Sequence, residues 1–66
     1  MTIELRLSVV GDFRDVLLLR TVFAGDRRAC DFYAESRGFH WLPQPEAGYL
    51  LGGYYANANG DCLMPI

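Results

Sequence analysis

The chain opens with a segment, Thr2 to Val10, in which apolar and polar side chains alternate. A period of two predicts a β-strand with one buried and one exposed face. The apolar side carries Ile3, Leu5, Leu7 and Val9, and the other side carries Thr2, Glu4, Arg6 and Ser8. Gly11-Asp12-Phe13 then has the residue types of a turn. We therefore expect this strand to be the first arm of a hairpin.

The segment from Val16 to Phe23 is rich in β-branched and aromatic residues, which favours a second strand. An alternative makes Asp12 a helix cap and the segment from Phe13 to Phe23 a helix. Centring the hairpin on Asp12 instead brings apolar residues and opposite charges together. The expected pairs are Leu7 with Leu17, Leu5 with Leu19, Ile3 with Thr21, and Glu4 with Arg20.

The second strand is apolar on both faces. With Leu17, Leu19 and Phe23 assigned to the core, the outward residues are Val16, Leu18 and Val22. An uncovered apolar patch of this kind predicts self-association, and a homodimer is the expected form.

A helix is predicted next, beginning after Asp26 and ending before Gly38. Asp is a good N-cap and Gly suits the left-handed C-terminal position, after which Phe39 folds back onto the helix. The predicted buried arc is Ala29, Cys30, Phe32, Tyr33, Ala34 and Ser36, and the opposite arc is Arg27, Arg28, Asp31 and Glu35.

The remaining chain is predicted to be an irregular connection followed by a hairpin. The segment from His40 to Gly48 contains two prolines, which disfavour regular pairing. Tyr49 to Asn57 is strand-like. Asn59-Gly60 is a hairpin turn signal, and Cys62 to Pro65 can form the returning strand of that hairpin. Gly52-Gly53 is either a bulge or a tight turn, and a turn would add a fifth short strand. The expected fold is one α+β domain over residues 1–66, a small antiparallel β-β-α-β-β sheet with one helix on one face.

The composition narrows the functional classes. The chain is 66 residues long and 52% hydrophobic, with eight acids against six bases and a net charge of −2. This balance argues against a general nucleic-acid binder, so binding through Arg14, Arg27 and Arg28 is the third-ranked hypothesis. The N-terminus predicts neither a signal peptide nor a membrane span, and the expected location is cytoplasmic.

The reactive side chains are scattered. Cys30 and Cys62 are interpreted as buried thiols in preference to a disulfide, and His40 has no carboxylate or thiol at a spacing typical of a shared site. The sequence therefore predicts no metal, no cofactor and no catalysis.

Part of the chain resembles the C-terminal strand and helix of the GCN5-related N-acetyltransferases. The matching residues are Asp26, Arg28, Ala29, Phe32, Tyr33, Gly38 and Phe39. The resemblance implies an acyl-CoA ligand and a general-acid role for Tyr33, although the family's pyrophosphate loop has no counterpart here. The same helix also looks like that of a vicinal-oxygen-chelate module. A dimeric acyl-CoA or small-ligand enzyme is therefore the alternative hypothesis.

The preferred hypothesis is a small, non-catalytic protein-binding module. Asp31 and Glu35 on the helix would steer a basic partner, while Trp41 and one of Tyr54 or Tyr55 would supply apolar contact area. The chain is similar in size to small phage anti-CRISPR inhibitors. That similarity implies an inhibitor that occludes a basic surface of a host nucleoprotein complex.

Overall fold

The computed structural model describes residues 2–12 and 15–66, with side chains for residues 2–8 and 20–66. Within this part of the chain one helix packs against an antiparallel sheet of five strands, which confirms the predicted fold class. The elements are β1 (Ile3–Asp12), β2 (Asp15–Gly25), α1 (Arg27–Ser36), β3 (His40–Pro43), a 3-10 turn (Pro45–Ala47), β4 (Gly53–Ala56) and β5 (Asp61–Pro65).

The strands lie in the order β2-β1-β5-β4-β3. The C-terminal strand β5 is therefore central, paired with β1 on one side and β4 on the other. Leu7, Leu63 and Tyr55 lie side by side across these three strands. Because side chains alternate along each strand, this row belongs to one face of the sheet.

The core lies between that face and α1. Ile3 and Leu5 from β1 and Tyr55 and Leu63 from the later strands are each at most 2% exposed. The helix contributes small side chains, Cys30 and Ala34, which lets it approach the sheet closely. The Cys30 thiol lies 3.7 Å from the carbonyl oxygen of Ile3. Phe39 closes the core after the helix ends, as predicted.

The predicted register of the first hairpin is wrong. Leu5 pairs with Phe23, Leu7 with Arg20, and Glu4 with Ala24, so no Glu4 to Arg20 pair forms. The strands continue past the predicted turn as far as the Asp12 and Asp15 pair, and Phe13 itself lies outside the described residues. The carboxylate of Glu4 instead accepts a hydrogen bond from the Thr21 hydroxyl, at 2.8 Å.

A bulge in β2 explains why alternation alone misplaced Val22. Leu5 pairs with Phe23 and Arg6 pairs with Thr21, which leaves Val22 as the extra residue between them. Val22 is half-buried and packs against the core, as Phe23 does. The interpretation of Val22 as part of an outward patch is therefore wrong.

The helix begins and ends where the sequence predicts, but its buried arc is narrower. Gly38 has φ +83° and follows the C-cap, as predicted. Cys30 and Ala34 are buried, whereas Phe32 is 76% exposed, contrary to its assignment to the core. Residues two apart on a helix differ by roughly 200° in direction, so a stripe centred on Cys30 leaves Phe32 outward.

Replacing Asp26 by alanine is expected to lower the free energy of unfolding by about 1 kcal/mol. The Asp26 carboxylate accepts the backbone N–H of Ala29 at 2.8 Å, and the first turn has no other acid. Denaturant unfolding followed by circular dichroism measures the loss. Asp26→Asn keeps the acceptor and should retain most of the stability. An equal loss in both variants would contradict the capping role.

The predicted irregular connection from His40 to Gly48 contains a strand. His40–Pro43 forms β3 at the edge of the sheet and pairs only with β4, so the missing N–H of Pro43 breaks no second ladder. Gly52 has φ +75° and donates its N–H to Tyr49, which makes it part of a turn, and Gly53 starts β4. The Asn59-Gly60 turn joins β4 to β5 as predicted.

The helix of the described chain is ten residues long. No helix in the described ranges is long and apolar enough to cross a membrane.

Candidate functional site

Three of the sequence-predicted site residues meet in one cluster beside the core. The Tyr55 hydroxyl donates a short hydrogen bond to Oδ1 of Asp31. The same oxygen lies 3.7 Å from Nε of Arg27, whose guanidinium stacks over Trp41 at 4.8 Å from the ring centre. Trp41 also contacts Tyr55 edge to face, with ring centres 5.0 Å apart. The carboxylate of Asp31 is thus already partnered within the fold.

The position of Tyr55 settles which of the adjacent tyrosines lies in the core. Tyr55 is 1% exposed, so it cannot serve as an exposed anchor in the folded protein. Burial, followed by the hydrogen bond to Asp31 and the charge of that carboxylate, raises the pKa of Tyr55 well above its usual range. Tyr54 is half-buried on the opposite face of the sheet, where its ring contacts Tyr49 at 5.8 Å.

The predicted binding residues therefore do not form one surface. Glu35 is exposed on α1, whereas Tyr54 lies across the sheet from the helix. Val16 and Leu18 lie in β2, but their side chains are outside the described part of the chain. Self-association through that face stays a prediction.

A groove that the sequence did not predict lies on the other side of α1, between the helix and β2. It has a volume of about 560 Å³ and a mainly apolar lining. The residues around it are Phe23, Asp26, Arg28, Ala29, Phe32, Tyr33, Ser36 and Arg37. We call this feature the aromatic groove.

A stack of three side chains forms one wall of the aromatic groove. The rings of Phe23 and Tyr33 are nearly parallel, 4.6 Å between centres and 19° between planes. The Arg37 guanidinium lies over the other side of Tyr33, 3.8 Å from the ring centre, and Nη1 donates to the Ser36 hydroxyl. Stacking orders a guanidinium while its edge keeps free donors. The Arg37 guanidinium is therefore fixed in position by Tyr33 and Ser36.

Arg28 supplies a second positive charge at the groove. Among the described residues, Arg27 forms an ion pair with Asp31, whereas neither Arg28 nor Arg37 has an acidic partner. Arg28 also lies in the first turn of α1, near the positive end of the helix dipole. A positive charge at this end destabilises a helix by about 0.3–1 kcal/mol. Helix formation does not explain an arginine at this position.

One signal in the sequence pointed to this groove. Phe32 and Tyr33 are adjacent on a helix, so their side chains differ in direction by about 100°. A narrow buried stripe cannot accept both rings together with Cys30 and Ala34. The predicted arc nevertheless included all four residues, because it rested on helical periodicity alone.

The cysteines and other potential metal ligands are dispersed. Cys30 and Cys62 are buried free thiols, as expected, and burial raises the pKa of each. The described ranges contain no group of three or more residues that could hold a metal ion.

Tyr33, the tyrosine to which the resemblance assigned a general-acid role, has its ring packed between Phe23 and Arg37. The resemblance itself stays a prediction. No family model matches this chain, and neither a curated protein nor a solved structure was found to be similar to it.

Proposed function

We propose that this chain is a small protein-binding module and that the aromatic groove is its main contact surface. The observation that carries the proposal is Phe32, a large apolar side chain that is 76% exposed at the rim of a preformed groove. An exposed phenylalanine side chain contributes no burial energy to the stability of the fold. Burial of a phenylalanine against a partner contributes about 1.5–3 kcal/mol.

The composition of the groove also supports binding of a protein. Tyrosine and arginine are enriched among the residues that dominate binding energy, and here Tyr33 and Arg37 are stacked together. Their packing against Phe23 limits the conformational freedom that a partner would otherwise have to remove. The groove therefore offers a rigid, mainly apolar surface.

The inhibitor role proposed from the size class fits this arrangement, because binding alone is enough to occlude a surface of a host complex. Of the two predicted acidic residues, only Glu35 is available to contact a partner, because the Asp31 carboxylate already interacts with Tyr55 and Arg27. The basic host surface would then contact Glu35 outside the groove, because Arg28 and Arg37 make the groove itself unsuited to a basic surface.

The proposal predicts that Phe32→Ala weakens binding to the cognate partner by about 30-fold or more, as expected for a central contact worth about 2 kcal/mol. The partner is found by photo-crosslinking from position 36, at the groove, in a lysate of the source organism. Its affinity for the purified variants is then measured by calorimetry.

Leu50→Ala is the matched control, because Leu50 is 53% exposed in the segment between β3 and β4 and does not line the groove. It should change the affinity by less than about twofold. Both variants should retain the melting temperature of the original chain, since each removes an exposed side chain. Equal affinities for the Phe32→Ala variant and the original chain would contradict the proposal.

A further inference from the structure

We infer that the aromatic groove takes an extended acidic peptide segment in which one aromatic or aliphatic side chain lies between two carboxylates. This inference rests on the proposed function and specifies the chemistry of the partner. It follows from the volume of the groove, from the spacing of its two arginines, and from the charge around it.

The volume of the groove suits side chains and not a folded element. About 560 Å³ is within the range of small-ligand pockets, roughly 300–1,000 Å³, and holds one or two side chains. Phe32 and the Phe23 and Tyr33 stack supply the apolar walls. One apolar side chain of the partner is therefore expected to enter the groove.

The two arginines define the spacing of the carboxylates. Arg28 lies in the first turn of α1 and Arg37 is the C-cap residue after it, so their backbones are separated by roughly 13 Å along the helix axis, while both side chains line the groove. An extended peptide rises about 3.3 Å per residue, so this distance corresponds to about four residues. Alternate side chains of an extended peptide point the same way. An acid, an apolar residue and a second acid at every second position would then all face the groove.

The charges favour an acidic peptide over a polyanion such as a nucleic acid. Arg28 and Arg37 have no acidic partner in the described ranges, and the Asp26 carboxylate is engaged as the N-cap. The chain as a whole has a net charge of −2, so a long anionic backbone is repelled beyond this patch. A short segment with two carboxylates meets only the positive patch.

The direct test is titration of the folded chain with the peptide Gly-Glu-Ser-Phe-Ser-Glu-Gly, followed by amide chemical shifts. Shifts should concentrate in α1 and in the Arg20–Gly25 part of β2. A peptide with lysine in place of both glutamates, and one with serine in place of phenylalanine, should each bind at least about fivefold more weakly. Binding should also weaken as salt rises.

A charge swap gives the matched control. The double variant Arg28→Glu with Arg37→Glu should lose affinity for the acidic peptide and gain it for the lysine peptide, and the folded spectrum should be retained because neither arginine belongs to the buried core. Equal affinities of this variant for the two peptides would overturn the inference. Tighter binding of a mixed single-stranded oligonucleotide than of the acidic peptide would also overturn it, in favour of nucleic acid.

Failure of this inference is distinguishable from failure of the proposed function. If the crosslinked partner depends on Phe32 but its affinity is unchanged by the arginine double variant, the acidic-peptide inference is wrong and the binding module stands. If the acidic peptide binds in the groove but partner affinity is insensitive to Phe32→Ala, the proposed function is wrong.

Discussion

Replacing Tyr55 by alanine is expected to destabilise the domain by about 3–5 kcal/mol, the usual cost of removing a large buried aromatic side chain. A chain of 66 residues has a total stability of roughly 3–10 kcal/mol. The variant should therefore lose about a third or more of that stability, and at the low end of this range it is unfolded at ambient temperature. Tyr55 is fully enclosed, and it contacts both Trp41 and Asp31.

Tyr55→Phe separates packing from hydrogen bonding. The ring remains, but Asp31 loses the hydroxyl donor, and we expect a loss of about 1–2 kcal/mol because the carboxylate is partly accessible to water. Urea unfolding, monitored by circular dichroism, measures both variants. A Tyr55→Phe variant as unstable as Tyr55→Ala would contradict the view that the ring contributes most.

The same residue gives a prediction for pH. Because the pKa of Tyr55 is raised in the folded state, the unfolded chain loses this proton first, near pH 10. The contribution of Tyr55 to stability is therefore complete below about pH 10 and is lost as the pH rises further. Tyr55→Phe has no such proton. Between pH 8 and pH 11, the urea concentration at the unfolding midpoint should therefore fall less for Tyr55→Phe than for the original chain. An equal fall in both would contradict the prediction.

Gly53→Ala is expected to destabilise the protein by about 3 kcal/mol, near the upper end of the usual cost of overpacking. A methyl group at Gly53 would collide with the carbonyl oxygen of Leu42 and would lie 2.7 Å from Cζ2 of Trp41 and 3.0 Å from Cα of Pro43. Two of these three atoms are backbone, so they cannot move away unless β3 separates from β4. The glycine is required here for close approach of two strands.

Gly60→Ala is the matched control for Gly53→Ala. Gly60 has φ +86° and open space around it, so the alanine there costs only backbone strain, about 1 kcal/mol. Trp41 is the single tryptophan, and its fluorescence reports directly on the β3 edge. The emission should shift in the Gly53→Ala variant and stay unchanged in the Gly60→Ala variant. Equal stability of the two variants would contradict the clash.

The features that local sequence determined are those that depend on residues within one turn. The Asp26 cap, the Gly38 helix end and the Asn59-Gly60 hairpin each rest on backbone geometry and hydrogen bonds within a few positions. The alternation of Ile3 and Leu5 likewise identifies a strand and its buried side. These elements, and with them the fold class, follow from the chain read a few residues at a time.

Tertiary structure decided which side is covered in the elements whose local pattern is ambiguous. The register shift between Leu5 and Arg6 in the first hairpin places Val22 against the core. The pairing of β4 with β5 turns Tyr55 inward and Tyr54 to the other face. The aromatic groove exists because the sheet covers only the Cys30 and Ala34 stripe of α1 and leaves Phe32 exposed. Such choices depend on strands distant in sequence. A local pattern shows that a residue is apolar. Whether the fold buries that residue or leaves it exposed to a partner depends on long-range strand pairing.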